Sequence, residues 1–282
     1  MEQVKNPGRL MRQTVIEPSR RWGSLNFREL WEYRELLIML AMREVQLRYR
    51  QTLLGVAWVV LQPLLTTLIF TFIFGGLLGA SSENVRYELF AFAGLIPWNV
   101  FSQSLQRGGV SLTRDLRLIT KIFFPRVIIP MANALSTLVD FAVSFVILII
   151  LLVIYRVPIT WSFLSLPLIL ALTLLLSIGM GVIFAALNVY YRDFTYVLPF
   201  LIQVWLFVSP LAYSSSIIPK NWEWVYSLNP MAGIIDGFRW AVFGTIAFPA
   251  RAMGYSVVVS VLVFTIGMLV FRRLERSFAD VI

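Results

Sequence analysis

VIIPMANALSTLVDFAVSFVILIILLVIY, Val127 to Tyr155, runs for 29 residues and carries one charge, Asp140. A helix needs about 20 mainly apolar residues to cross the hydrocarbon of a bilayer. Backbone polar groups find no water there, so a run of this length reads as a membrane-spanning α-helix. Outward from it lie five more such runs: Leu53 to about Gly79, Leu89 to about Gln106, Phe163 to about Tyr190, a shorter one from Tyr196 to about Tyr213, and Met253 to Phe271. The expected fold is all-α, a polytopic membrane protein with about six transmembrane helices. Residues 1–52 form a cytoplasmic N-terminal segment, 53–271 the transmembrane domain and 272–282 a cytoplasmic tail.

Composition agrees. Hydrophobic residues are 59% of the 282 and charged ones 14%, against about 45–50% and about 25% in soluble domains. Cysteine and histidine are absent. That removes disulfides, thiol catalysis, zinc–thiolate and histidine metal sites, and a Ser-His-Asp triad. The net charge of +9 sits beside the spans, so anionic lipid and topology account for it better than nucleic acid does. The first fifty residues are polar, with no short apolar run before a small-residue cleavage site, so no cleavable signal peptide is expected. With the N-terminus inside, cytoplasmic segments hold 19 of the 24 Lys and Arg and outer segments 5. This asymmetry places both termini in the cytoplasm.

Two amphipathic stretches flank the first spans. Between Ser24 and Arg50, Asn26 can cap a helix with Glu29 at the capping-box position. Phe27, Leu30, Trp31, Leu37, Ile38 and Ala41 fall on one side of it. Such a helix lies along the cytoplasmic membrane surface or packs on a partner. Within RDLRLITKIFFPR, Arg114 to Arg126, Leu116, Ile119, Ile122 and Phe123 share one face, while Arg114, Arg117 and Lys121 share another. Pro125 ends the segment. It suits docking into a partner's groove or anchoring on anionic lipid.

The outer segment, Ser214 to about Ala252, is largely apolar. Asn229 reads as an N-cap with Pro230 in the first helical position. Asp236 and Arg239 sit three apart on one helical face and are placed to pair. Short helices dipping into the outer leaflet, shielded by protein, fit this pattern; so does a loop capping the bundle.

Asp140 is the one acidic residue inside a predicted span, near its middle, and no second ionisable residue is expected at that depth. Asn133, Ser136, Thr137, Asp140 and Ser144 recur at helical spacing. The stripe either lines a polar path or makes interhelical hydrogen bonds. Aromatic residues are 15% of the chain. Those within spans, among them Trp58, Phe70, Phe74, Trp205 and Phe207, either stack on sugar rings or serve packing and lipid contact. No G-x-x-x-x-G-K-[ST] loop exists in the chain, so any nucleotide that drives transport binds another chain.

RYRQTLLGVAWVVLQPL (Arg48–Leu64), KIFFPR (Lys121–Arg126), YYRDF (Tyr190–Phe194), Asn229-Pro230 and the tail FRRLERSFADVI (Phe271–Ile282), in this order over six spans, resemble the permease subunit of ATP-binding-cassette exporters of polysaccharides, the O-antigen, capsule and teichoic-acid class. The resemblance covers nearly the whole chain. It implies two copies of this chain paired with two separate ATPase subunits in a bacterial cytoplasmic (inner) membrane. ATP and magnesium would bind the partner, with no cofactor or metal on this chain and no catalytic residue. Leu116, Ile119, Lys121, Ile122, Phe123, Pro125 and Arg126 would belong to a coupling helix on the ATPase, bordered by Arg192 and Asp193. Trp58, Phe70, Phe74, Asp140, Trp205 and Phe207 would lie along the path of a lipid-linked glycan. Asn229, Pro230, Asp236 and Arg239 would belong to an outer gate. The alternatives are a permease for a small amphiphile or drug, a membrane transferase, which the lack of histidine and of paired carboxylates opposes, and an ion-coupled carrier, which needs paired intramembrane charges.

Overall fold

The computed structural model describes residues 31–50, 57–83, 85–115, 124–219, 221–275 and 277–278. Among them there are helices and no strand. A helix occupies every predicted span. Helix α1 is Arg34–Tyr49 and α2 is Ala57–Phe70, which runs on into a π-helical turn, Thr71–Leu77. Next come α3, Tyr87–Arg114; α4, Ile128–Leu135; α5, Thr137–Ile154; and α6, Leu166–Tyr190, which continues a 3-10 turn at Trp161–Ser165. The last four are α7, Phe194–Val208; α8, Glu223–Ser227; α9, Pro230–Phe243; and α10, Ala250–Glu275. Four helical stretches are long and apolar enough to cross a membrane: Ala57–Leu77, Ile128–Ile154, Trp161–Tyr190 and Ala250–Glu275. The chain is an all-α polytopic membrane protein.

Helix α3 departs most from expectation. It is 28 residues long, so it extends well past Gln106. Its Leu89, Phe92, Ile96, Phe101 and Leu105 are at most 2% exposed, because α3 is the axis on which α2, α4, α5, α6, α7 and α9 pack. A helix packed among so many neighbours can carry the polar row Asn99, Gln103 and Arg107, which a lipid-facing helix could not.

Helix α6 joins α3 to α10. Its approach to α10 is set by glycine: a Cβ on Gly267 would lie 2.3 Å from the Gly179 carbonyl oxygen, and one on Gly179 would lie 2.6 Å from the Phe264 Cα. Small residues permit this backbone contact, and in lipid packing drives association. Gly267→Leu should therefore cost about 1–3 kcal/mol or more through overpacking. Thermal unfolding of the purified protein in detergent should show a clear drop in melting temperature. Ser260→Ala on the same helix, whose hydroxyl is buried with no hydrogen-bond partner among the described residues, should show none.

The bundle has two distinct ends. At one, α1, the end of α3, α4, the second half of α6, the end of α10 and Phe278 share a core of Leu40, Leu112, Phe124, Ile128, Phe271 and Phe278. The N-terminal helix and the tail thus lie together, as the lysine and arginine count requires. The opposite end holds α8, α9 and the 3-10 turn at Trp161–Ser165.

Helix α1 corrects the predicted face. Tyr33, Leu36, Leu37, Leu40 and Ala41 turn towards α4, while Trp31, Ile38 and Met42 are exposed. The predicted side therefore splits: Leu37 and Ala41 pack inward, and Trp31 and Ile38 point out. A helix wedged between bundle and lipid needs apolar residues on both sides. The proposed cap at Asn26 and Glu29, with Phe27 and Leu30, lies outside the described residues.

Candidate functional site

Three groups of side chains bear on function. The first surrounds Asp140. In span three α4, which packs beside α1, meets α5 at Ser136, whose own backbone is α-helical, and Asp140 falls in the first turn of the 18-residue helix α5. Within the 27-residue stretch Ile128–Ile154, Asp140 is near the middle, as expected. It is not alone. Its Oδ2 accepts Nη1 of Arg48 and, at 3.0 Å, Nη1 of Arg107, and its Oδ1 accepts the Tyr49 hydroxyl at 2.5 Å. Arg48 also donates to Ser136 Oγ at 2.9 Å, and Arg107 donates to the Gln103 amide oxygen. The expectation of no second ionisable group at that depth fails, because Arg107 is inside α3 rather than in a loop. Gln103 and Arg107 at i and i+4 were the available signal.

The polar stripe serves both readings. Asn133 accepts from Arg114 at 2.9 Å, and Thr137 and Ser104 hydroxyls meet at 2.8 Å, which ties helices together. Thr137, Asp140 and Ser144, with Trp58 of α2, line a cavity of about 270 Å³ between α2, α3 and α5.

The remaining aromatic candidates do not share that lining. Phe70 and Phe74 meet edge to face at 5.4 Å. Trp205 lines a separate apolar recess with Leu105, Phe184 and Leu198. Its ring meets Phe101 at 5.1 Å, and its Nε1 donates to Asn229 Oδ1 at 2.8 Å. Phe207 is 69% exposed.

The second group holds α9 at the end of the bundle away from α1. Asn229 Oδ1 accepts the Met231 amide at 3.0 Å, Pro230 opens the helix, and Gly244 closes it in the left-handed region with φ 65°. Helix α9 is buried along most of its length, which supplies the shielding expected of such a segment. Arg239 is 1% exposed. Its Nε donates to the Phe90 carbonyl at 3.1 Å and its Nη2 to the Leu211 carbonyl at 3.0 Å, with the guanidinium 3.5 Å over the Phe90 ring. Its Nη1 lies 3.6 Å from Asp236 Oδ1, so the predicted pair forms. Asp236 also accepts the Ser215 hydroxyl. Burial pushes the Asp236 carboxyl up to about 6, against the pull of Arg239 and Ser215. One buried ion pair therefore joins α9 to α3 and to the chain after α7.

The third group borders segment 116–123. Leu116, Ile119, Lys121, Ile122 and Phe123 lie outside the described residues. Both flanks are held. On one side Arg43 donates to Asp115 at 3.1 Å, and Arg114 donates to Glu44, which links α1 to the end of α3. On the other, Phe124 is buried, and beyond Pro125 the Arg126 amide donates to the Glu275 carboxylate at 2.9 Å. Arg126 Nη1 bonds the Glu275 carbonyl at 3.0 Å. Arg192 and Asp193 are exposed on the α6–α7 turn at this end. Behind that turn Thr195 donates to Asn188 at 3.0 Å, and Asn188 donates to the Gly109 carbonyl of α3 at 3.4 Å.

Residues 35–243 match the family described as ABC-2 type transporter. The chain is 31% identical over 257 residues to the O-antigen export system permease protein RfbA of Myxococcus xanthus, covering 90% of this chain and 97% of that protein. It is 27% identical to the protein of the same name from Klebsiella pneumoniae, over 88% of this chain and 95% of that one. It is also 27% identical to the polysialic acid transport protein KpsM of Escherichia coli, over 84% and 93%.

Proposed function

This chain belongs to the ABC-2 type transporter family, and from that premise we propose that it is the membrane-spanning subunit of an ATP-driven exporter of a lipid-linked polysaccharide, such as O-antigen. The observation that carries the reading is its likeness, over nearly their full length, to permeases whose names specify export of O-antigen and transport of polysialic acid. In this reading two copies assemble with two ATPase subunits in the cytoplasmic membrane. ATP and magnesium bind the partner, and both termini face the cytoplasm.

The geometry supports a division of labour. Segment 116–123, together with the exposed Arg192 and Asp193, meets the ATPase. Motion there reaches α3 directly, α1 through Arg43–Asp115 and Glu44–Arg114, and α10 through Arg126–Glu275. Helix α9, with Asn229, Pro230, Asp236 and Arg239, closes the outer end. Phe70, Phe74 and Phe207 contact glycan, and Trp58 and Asp140 lie where the substrate enters.

The test is reconstitution of the chain and its ATPase in vesicles, with lipid-linked glycan supplied on the ATPase side. ATP-dependent appearance of glycan on the far side is expected; none, in an assembled and hydrolysing complex, would reject this cargo. The aromatics separate in the same assay. Trp58→Ala and Phe207→Ala, both exposed, should lower export by about tenfold while assembly persists, at about 1.4 kcal/mol per tenfold. Trp205→Ala, which loses a ring contact and the Asn229 bond, should lower the amount of assembled protein as well.

A further inference from the structure

The cavity between α2, α3 and α5 contains an excess of positive charge. Among the described residues lining it, two guanidinium groups, Arg48 and Arg107, share one carboxylate, Asp140. An ion pair withdrawn from water is normally balanced one to one, since unbalanced charge is costly in a low-dielectric site. Here Asp140 holds two arginines side by side against their repulsion, and one charge is left over. Each guanidinium has five N–H donors. Arg48 donates to Asp140 and Ser136 and also meets the Tyr49 phenol, and Arg107 donates to Asp140 and Gln103. Both side chains remain about a quarter exposed, at 23% and 24%. Paired arginines of this kind match a phosphoryl group, whose oxygens accept their parallel donors.

The rest of the lining says what else the ligand carries. Beside the arginines the wall is apolar, with Val59 and Pro63 from α2, Ile96 and Val100 from α3 and Phe141 from α5. Arg48 and Tyr49 end α1, and Asp140 lies in the first turn of α5. The charged side chains therefore form one part of the wall, where α1 meets α5, and the apolar part lies next to it. An anionic head with an attached hydrocarbon fits both halves.

We propose that this cavity binds the phosphoryl head of the lipid-linked substrate from the cytoplasmic leaflet, with Arg48 and Arg107 as its ligands and Asp140 as the group that positions them. This rests on the exporter reading and adds the chemistry by which the lipid end of the cargo is recognised. Asp140 is then neither a proton relay nor an isolated buried charge; it sets the separation of two arginines.

The experiment uses the complex of the chain with its ATPase in detergent, and farnesyl pyrophosphate as probe, with binding followed by native mass spectrometry. Farnesol and inorganic pyrophosphate supply the halves, and phosphatidylglycerol supplies an ordinary anionic lipid. Farnesyl pyrophosphate should bind at least about tenfold more tightly than any of the three. Two nearly isosteric variants should move that affinity in opposite directions. Gln103→Glu offers Arg107 a second carboxylate and cancels the excess charge, so it should weaken binding at least about tenfold. Asp140→Asn raises the excess charge, so it should strengthen binding. Arg107→Lys, which keeps the charge and loses the fork, should weaken it. If Asp140→Asn fails to fold, Gln103→Glu decides alone, because it adds an ion pair and threatens no contact. Equal affinity for farnesol would overturn the proposal, as would full competition by phosphatidylglycerol, equal binding of inorganic pyrophosphate, or no effect of Gln103→Glu. A wild-type complex that exports glycan yet ignores farnesyl pyrophosphate would reject this site and leave the exporter reading standing. Absence of any associated ATPase would reject the exporter reading first.

Discussion

Arg239→Ala should be the most damaging single substitution in the outer half of the protein. It removes the guanidinium that bonds the Phe90 and Leu211 carbonyls and stacks on the Phe90 ring, and it leaves Asp236 buried with no ion-pair partner among the described residues. Removing one partner of a buried pair costs about 3–5 kcal/mol. That is a large share of a marginal stability, so little assembled protein should reach the membrane. The cause is separable from the loss itself. The double variant Arg239→Met with Asp236→Asn removes both charges and retains much of the side-chain volume, and it should recover much of the loss. Thermal unfolding of wild type, single and double variants makes the comparison. A single variant as stable as wild type would show that α9 is held by its apolar contacts alone.

Phe123→Asp should have the largest effect on function. The sequence places Phe123 on an apolar face with Leu116, Ile119 and Ile122, and a carboxylate in an apolar contact carries a heavy desolvation cost. Export should fall about a hundredfold, roughly 2.7 kcal/mol of lost coupling. The chain itself should remain folded, since among the described residues the core at this end is built on Phe124, Phe271 and Phe278. Arg117→Ala, on the opposite face, should reduce export far less. Equal export by Phe123→Asp and wild type, in a complex of normal composition, would remove segment 116–123 from the coupling route.

Features set by local periodicity were legible in the sequence. Apolar runs longer than the bilayer became helices, and the Asn229 cap and the Asp236–Arg239 pair formed where their spacing put them. What the sequence hid depended on which helix shields which. Arg107 looked like a loop residue because span two seemed to end at Gln106, and only the burial of α3 by its neighbours permits a longer, more polar helix. Asp140 is near the middle of its apolar stretch, as the sequence suggested, but its partners come from α1 and α3, which the run of Val127 to Tyr155 does not reveal. The Arg48–Asp140 and Arg126–Glu275 contacts join residues 92 and 149 positions apart, a separation that helical periodicity does not encode. Trp205 was read as a possible sugar contact from its type, yet its indole N–H is committed to Asn229.

The central claim is that this chain works as the membrane part of an ATP-driven complex, and isolating it tests that claim most directly. The tagged chain would be extracted in gentle detergent, its copurifying proteins identified and ATP hydrolysis assayed. A separate ATPase in equal amount, with hydrolysis that depends on magnesium, is the predicted result. A chain that emerges alone and without ATPase activity, from membranes where other such complexes survive the same extraction, would contradict it.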